Sequence, residues 1–360
     1  PPPLLRRQRQ MCIRDRIIGP HMRLNKTLNG EKDERTPVWL MRQAGRYLPE
    51  YRALRASEPN FIEYCLNSEK AAEATLQPID RYGFDAAIIF SDILLIPWAM
   101  GANVRFVQGE GPKLDPLENP SSVLQMDSAS MLDDLAPVFR ALSLTRQKLD
   151  PDRNLIGFCG APWTVATYMI EGGSSRDFER SRQFLWKDGD GMALLMDRLV
   201  KDSITYLAAK VEAGADTLMI FDSWASAVPS PFIHSIVIEP TQRIIAGLRD
   251  IGITVPMIGF PKGVGEGIIS YAEQTGISAI GLDHGVDARW ADRNLPHQLA
   301  VQGNLDPVSL MEGGPAMLAS VDGILDAFST RPHIFNLGHG IGQHTPPEHV
   351  NVLIDHLRKN

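Results

Sequence analysis

The chain is poor in the features that mark several large protein classes. Its 360 residues contain only three cysteines, Cys12, Cys65 and Cys159, with no CxxC spacing. So odd and scattered a set reads as reduced thiols in a cytoplasmic protein, not as a disulfide framework or a zinc site. No apolar run approaches the ~18 residues that a membrane helix needs. An excess of positive charge is missing too: 36 Lys and Arg against 43 Asp and Glu give a formal net charge of −7. No global field therefore favours nucleic acid or an anionic membrane as partner, and an anionic ligand would need a local cluster of cations. A glycine-rich dinucleotide fingerprint is absent. The bulk composition, 44% hydrophobic and 22% charged, is that of an ordinary globular protein.

The first stretch, PPPLLRRQRQMCIRDRIIGPHM, differs from everything after it. It is rich in Arg and Pro, lacks apolar periodicity, and has no apolar segment of the kind a signal peptide requires. Residues 1–22 are read as a non-native or disordered leader, a cloning or gene-boundary artefact with the natural start near Met22. That leaves residues 23–360 as a single catalytic domain, since α/β barrels commonly exceed ~250 residues as one unit.

From Thr36 onward, apolar runs of strand length recur at 37–43, 86–92, 155–162, 217–223, 255–262, 279–285, 300–307 and 333–340. Most are nearly continuous, as parallel strands buried on both faces must be. Between them lie helical patterns at 68–82, 120–149, 192–213, 236–250, 264–276, 307–329 and 346–358. Alternation of this kind implies parallel βαβ units. Eight strands without a dinucleotide motif predict a (β/α)8 TIM barrel.

Nearly every run ends in polar or glycine-containing chemistry: Arg42-Gln43, Ser91-Asp92, Cys159-Gly160, Asp222-Ser223, Lys262-Gly263, Asp283-His284, Asn304-Asp306, His339-Gly340. In a barrel these ends share one rim, where the active-site cleft lies. Turn formation explains the glycines but leaves the charged residues unexplained. Two excursions, a hairpin over 101–116 and a Gly/Ser loop over 171–180 opening a helix at Asp177, are candidate lids on that rim.

The segment RQAGRYLPEYRALR places Arg42, Arg46, Arg52 and Arg55 in one loop. Guanidinium forks bind carboxylates in bidentate fashion, which suits a ligand with several carboxylates. A solvated basic turn held by salt bridges is the ordinary alternative, and spacing alone does not decide between them.

Seven segments together are more specific. PVWLMRQAGRYLPEYR, IIFSDILLIPWAMG, GFCGAPWTVATYMIEGG, FDSWA, GLDHGVD, QGNLDP and FNLGHGI run in order from residue 37 to beyond 340. They resemble the signatures of the uroporphyrinogen decarboxylase family. The resemblance implies a homodimeric, cytoplasmic carboxy-lyase that binds a small-molecule substrate, uroporphyrinogen, and uses no metal or organic cofactor. Such an enzyme converts the four acetate side chains of uroporphyrinogen III to methyl groups, giving coproporphyrinogen III in haem biosynthesis.

By the same resemblance, Asp92 accepts hydrogen bonds from the central pyrrole N–H groups, Arg42 and Arg46 hold carboxylates near the reacting ring, and Arg55 matches a further arginine of the family. Tyr168 corresponds to its active-site tyrosine, and Ser223 and His339 to positions that bind peripheral carboxylates. Asp92, Arg42 and Tyr168 are thereby the catalytic candidates, although an arginine, with a pKa above ~12, is better suited to orienting a group than to acting as an acid. Without the resemblance, Asp92 reads as a helix cap, Tyr168 as core and His339 as a turn residue. Gly338 and Gly340 would let backbone N–H groups approach an anion.

The sequence departs from the family's pattern where FDSWA continues as SAVPSP, at His284 and at Cys159. Cys159 reads as a small buried hydrophobe, His284 as a packing residue and Lys262 as structural or a peripheral carboxylate partner. A corrinoid-dependent methyltransferase of the same superfamily would require a thiolate-rich zinc site that the cysteines do not supply. A catalytically inactive tetrapyrrole-binding protein would be expected to lose Asp92 or the Arg42/Arg46 pair, and all three are present.

Overall fold

Apolar runs as continuous as LIGF or LMIF are stable only where both faces of a strand are buried, and LIGF is buried throughout. A computed structural model describes residues 22–107 and 109–359; the expected leader, apart from Met22, lies outside the described residues. The strands are β1 (Ala86–Ile88), β2 (Arg105–Val107), β3 (Gly111–Lys113), β4 (Asn154–Gly160), β5 (Thr217–Asp222), β6 (Met257–Pro261), β7 (Ala279–Gly281), β8 (Ala300–Gln302) and β9 (His333–Ile334). Seven of them form one curled sheet in the order β1-β4-β5-β6-β7-β8-β9, and β2 and β3 form a separate hairpin. Every neighbouring pair in the large sheet is parallel. All seven strands therefore end at the same edge. Every residue of β4 is buried, and Phe158, Phe221 and Phe260 stand edge to face across adjacent strands, 5.4 and 6.2 Å apart.

The sequence predicts eight strands, and the described residues carry seven in this sheet. The missing one is the run 37–43, which makes a single parallel bridge, Val38 to Phe335. Its backbone is nonetheless well satisfied. Phe335 N–H donates to Pro37 O at 2.8 Å and Asp85 N–H to Val38 O at 2.9 Å. Side chains take over the remaining ladder positions: Asp85 Oδ2 accepts from Val38 N–H and Asn336 Oδ1 from Met41 N–H, each at 2.9 Å. Substituting side-chain acceptors for a neighbour's carbonyls holds the segment between β9 and β1 without a regular ladder.

Helix 68–82 is found as expected, Ser68–Tyr82, closed by Gly83 in the left-handed conformation. Two other expected helices are interrupted. Over 120–149 the chain forms a 3₁₀ segment Pro120–Gln125 and helices Met131–Asp134 and Ala136–Lys148. Asp127 draws the Ala129 amide into a turn at 2.8 Å, and Pro137 restarts the helix. Over 307–329 the break falls at Gly313 and Gly314, with φ of +69° and +73°. The hairpin is present, pairing Arg105 with Lys113, and Lys113 is bridged in turn to Gly173 of the Gly/Ser loop. That loop leads into a helix at Glu179, not at Asp177, because Phe178 adopts φ +50° and packs against Trp224, ring centroids 4.9 Å apart.

Candidate active site

The C-terminal ends of the strands gather most of the expected residues. β1 stops at Ile88, and the turn that follows brings out Asp92. Its Oδ1 accepts the Leu94 N–H at 2.8 Å, ahead of the short helix Leu95–Ala99. Asp92 therefore closes a turn ahead of the helix, whose N-cap is Leu94, and does not cap it; the bond orients the carboxyl while leaving it half-buried. Burial raises the Asp92 pKa to about 6, against the Leu94 hydrogen bond and the Arg42 charge, which both lower it.

Arg42 is exposed and has φ +60°, a backbone conformation that L-residues rarely adopt. The Gln43 side chain anchors this turn from beneath, accepting the Leu40 N–H and donating to Ala86 O, each at 3.1 Å. The Arg42 side chain lies across Gly340: a Cβ there would meet Arg42 Cδ at 2.3 Å. Gly338 is constrained in the same way, since a Cβ would meet the His284 backbone N at 2.2 Å. Its own N–H donates to Leu305 O at 2.8 Å. The expectation that both glycines admit an anion is therefore replaced for Gly338, whose amide is occupied, and the room at Gly340 is taken by the arginine.

Tyr168 is half-buried on the helix Pro162–Glu171, its ring 6.4 Å from that of Trp224. Burial pushes its pKa up and the Asp92 charge adds to this, while Arg42 opposes. His339 is held down at about 4 by burial, then by the charges of Arg42, Lys262 and His284, against Asp283. It is therefore neutral near pH 7 in the free protein, able to offer a carboxylate a hydrogen bond. Lys262 Nζ stands 5.9 Å from the Trp224 ring centre. His284 is exposed, which does not fit the packing role expected of it. Ser223 is half-buried between Asp222 and Trp224.

The other arginines differ. Arg46 is exposed on the Arg42 turn, while Arg52 ties that turn down by donating to Arg46 O and Tyr47 O at 2.9 and 3.1 Å. Arg55 hydrogen-bonds the carbonyls of Glu58 and Pro59 and lies 5.5 and 5.4 Å from the ring centres of Phe61 and Tyr64. Both of its guanidinium ends are thus engaged within its own neighbourhood.

Two fully buried groups have no role assigned from sequence: Asp222, which appears there only as a strand-end residue, and Lys210. Asp222 ends β5 and accepts the Thr164 hydroxyl at 2.6 Å; burial raises its pKa to about 7, while the Thr164 hydroxyl and amide lower it. Lys210 lies behind β4, donating to Phe158 O at 2.7 Å between the Phe158 and Tyr206 rings, and burial lowers its pKa to about 7. FDSWA and PWT carry the signal for the first, an acid and a hydroxyl at adjacent strand ends. The second has no signal, because it sits in an otherwise amphipathic helix.

Taken together, a parallel α/β scaffold presents exposed guanidinium groups, an elevated carboxyl and an aromatic wall on one strand edge. This defines an α/β enzyme with its charged and aromatic side chains gathered at one strand edge. Comparison with known proteins makes the assignment particular. The sequence profile described as uroporphyrinogen decarboxylase (URO-D) matches residues 20–360. Uroporphyrinogen decarboxylase of Sphingopyxis alaskensis is 48% identical over 332 residues, 92% of this chain and 96% of the relative. That of Novosphingobium aromaticivorans is 45% identical over 335 residues, 93% and 98% of the two chains. The chain belongs to the uroporphyrinogen decarboxylase family. Among solved structures, a methyltransferase from Methanosarcina mazei superimposes with a TM-score of 0.79, covering 94% of this chain and 98% of its own, at 21% identity. That likeness extends to the fold.

Proposed function

We propose that the chain removes the carboxyl groups of the four acetate side chains of uroporphyrinogen III and releases coproporphyrinogen III, without metal or organic cofactor. The observation that carries this reading is Asp92, raised to about 6 at the end of β1 and within the field of Arg42, in a chain of this family. Loss of carbon dioxide leaves an electron pair on the side-chain carbon. A pyrrole protonated at its α-carbon is a cationic, imine-like sink for that pair, so the substrate supplies its own electrophile. A second proton then converts the side-chain carbon to a methyl group, and loss of the ring proton restores the pyrrole.

In this scheme Asp92 accepts the pyrrole N–H groups and faces the positive charge as it develops, a preorganised electrostatic stabilisation. Arg42 and Arg46 orient the carboxylates of the reacting ring, and Tyr168 hydrogen-bonds beside Asp92. Ser223 and neutral His339 take peripheral carboxylates, with Arg55 a more distant partner. The proton is delivered by another species than arginine.

The wider reading is a single catalytic domain over 23–360 in a cytoplasmic homodimer. Within that domain the segment 37–41 serves as the eighth stave of a closed (β/α)8 barrel. Its backbone bonds to Phe335 and Asp85 support that placement. The test of the site is Asp92→Asn, which is expected to fold normally and lose at least about 100-fold in turnover. A near-normal rate would remove Asp92 from the mechanism.

A further inference from the structure

Asp222 and Thr164 are wholly buried, Asp222 at the end of β5 and Thr164 on the helix that carries Tyr168. Thr164 lies in the first turn of the helix Pro162–Glu171, one turn before Tyr168. Its hydroxyl donates to Asp222 Oδ1 at 2.6 Å and accepts the Trp224 N–H at 3.1 Å. On the other side of that residue, the Trp163 indole N–H donates to Trp224 O at 2.9 Å. Trp224 is thus held at both its amide and its carbonyl by two consecutive residues of the helix that carries Tyr168. Its indole forms a wall touching Tyr168, Phe178 and Lys262, with ring or charge separations of 6.4, 4.9 and 5.9 Å.

One feature of this arrangement is costly. Asp222 Oδ2 is buried without a hydrogen-bond partner. A buried polar atom left unpaired costs free energy comparable to a lost hydrogen bond. A Leu or Val at 222 would carry no such unpaired polar atom. The Asp is explained by what its other oxygen does, which is to fix the rotamer of the Thr164 hydroxyl. A threonine hydroxyl has one proton to donate. Donating it to Asp222 turns a lone pair toward the Trp224 amide.

We propose that Asp222 and Thr164 act as positioning residues, a buried latch between β5 and the Tyr168 helix that sets Tyr168 and the Trp224 indole as one rigid wall of the cleft. Neither touches the substrate. The assignment of a catalytic effect rests on the function proposed above, whereas the latch itself does not. Its consequence is that geometry at Tyr168 depends on a hydrogen bond two residues removed from the substrate. A misplacement of about 1 Å at such a wall is enough to slow a reaction by up to about 100-fold.

Thr164→Val removes the donor to Asp222 and the acceptor for Trp224 at nearly constant volume. The expected result is a fall in kcat of at least about tenfold with a change in KM below about threefold, since alignment is lost while carboxylate binding is kept. Thr164→Ser, which restores the hydroxyl, should recover kcat to within about twofold of the wild type. The near-ultraviolet circular dichroism of Thr164→Val should also differ from the wild type, and that difference should vanish in a Trp224→Phe background.

A wild-type kcat in folded Thr164→Val, or a spectral difference that persists without Trp224, would overturn the latch. If Thr164→Val does not fold, Asp222→Leu decides. It leaves the Thr164 hydroxyl free to rotate, and full activity with an unchanged Trp224 signal would equally overturn the proposal. If the wild-type protein itself does not turn over uroporphyrinogen, the functional reading fails while the spectral comparison still reports on the latch.

Discussion

In the proposed mechanism Asp92 combines two properties that pull against each other: it must be ionised to stabilise a cation, and it is buried enough to resist ionisation. Its pKa of about 6, set by burial over the opposing effects of the Leu94 amide and Arg42, places that conflict just below neutrality. The free enzyme's kcat/KM should therefore rise through about pH 6 on its acid side. Stability should move the other way. Because the folded state holds this proton more tightly than the unfolded state does, stability declines as pH rises from about 4 to about 6 and is level above. Asp92→Asn should flatten that part of the curve, and paired urea titrations at pH 4.5 and 7 would check it. An unchanged slope would mean that other groups, Asp222 and Asp216 among them, dominate it.

Arg42 and Gly340 form a second unit at this scale. A methyl group at 340 occupies the path of the Arg42 side chain, so Gly340→Ala should lower kcat/KM by about tenfold with little loss of stability. In an Arg42→Ala background the same change should cost almost nothing further, because the clash has gone. Additive losses would show that Gly340 acts elsewhere. Arg42→Ala and Arg46→Ala should each weaken porphyrinogen binding by about 2 kcal/mol or more, roughly 30-fold in Kd. Unchanged affinity by direct titration would contradict their role.

The placement of these residues at one strand edge was legible before the structure, because residues at the ends of consecutive parallel strands are neighbours whatever lies between them. What strand-end logic missed were contacts made through the helix layer. The partnership of Thr164 with Asp222 and the occupancy of Gly340 by Arg42 depend on side-chain direction, which one sequence does not encode at that resolution.

Among elements, the segment 37–43 is the most instructive. Its composition is that of a strand, yet it has one bridge, because Arg42 leaves extended geometry at φ +60°. Asn336 compensates, its Oδ1 accepting the Met41 and Leu337 amides at 2.9 and 2.8 Å. Asn336→Ala would strand two buried donors, and a loss of about 2 kcal/mol or more is expected, read as a lower urea midpoint. An unchanged midpoint would show that the segment is held otherwise. Helices were legible where one amphipathic stripe ran unbroken, as in Ser68–Tyr82. They were over-extended where glycines with positive φ or Asx turns interrupt a run that stays apolar, as at Gly313 and Gly314.

For the molecule as a whole, the seven-stranded sheet and the family are secure, and the likeness to a methyltransferase at 21% identity is a reminder that the scaffold does not select the reaction. In the proposed reading selection lies in the side chains of one strand edge. If two copies pair with their clefts facing, sedimentation at micromolar concentration should give a dimer, and a monomer would count against that arrangement. The central claim is the reaction. The purified, metal-stripped protein would be incubated anaerobically with freshly reduced uroporphyrinogen III, and the oxidised porphyrins separated by chromatography. A ladder of seven-, six-, five- and four-carboxyl products is the result the account predicts, and an unchanged eight-carboxyl porphyrin from folded protein would contradict it.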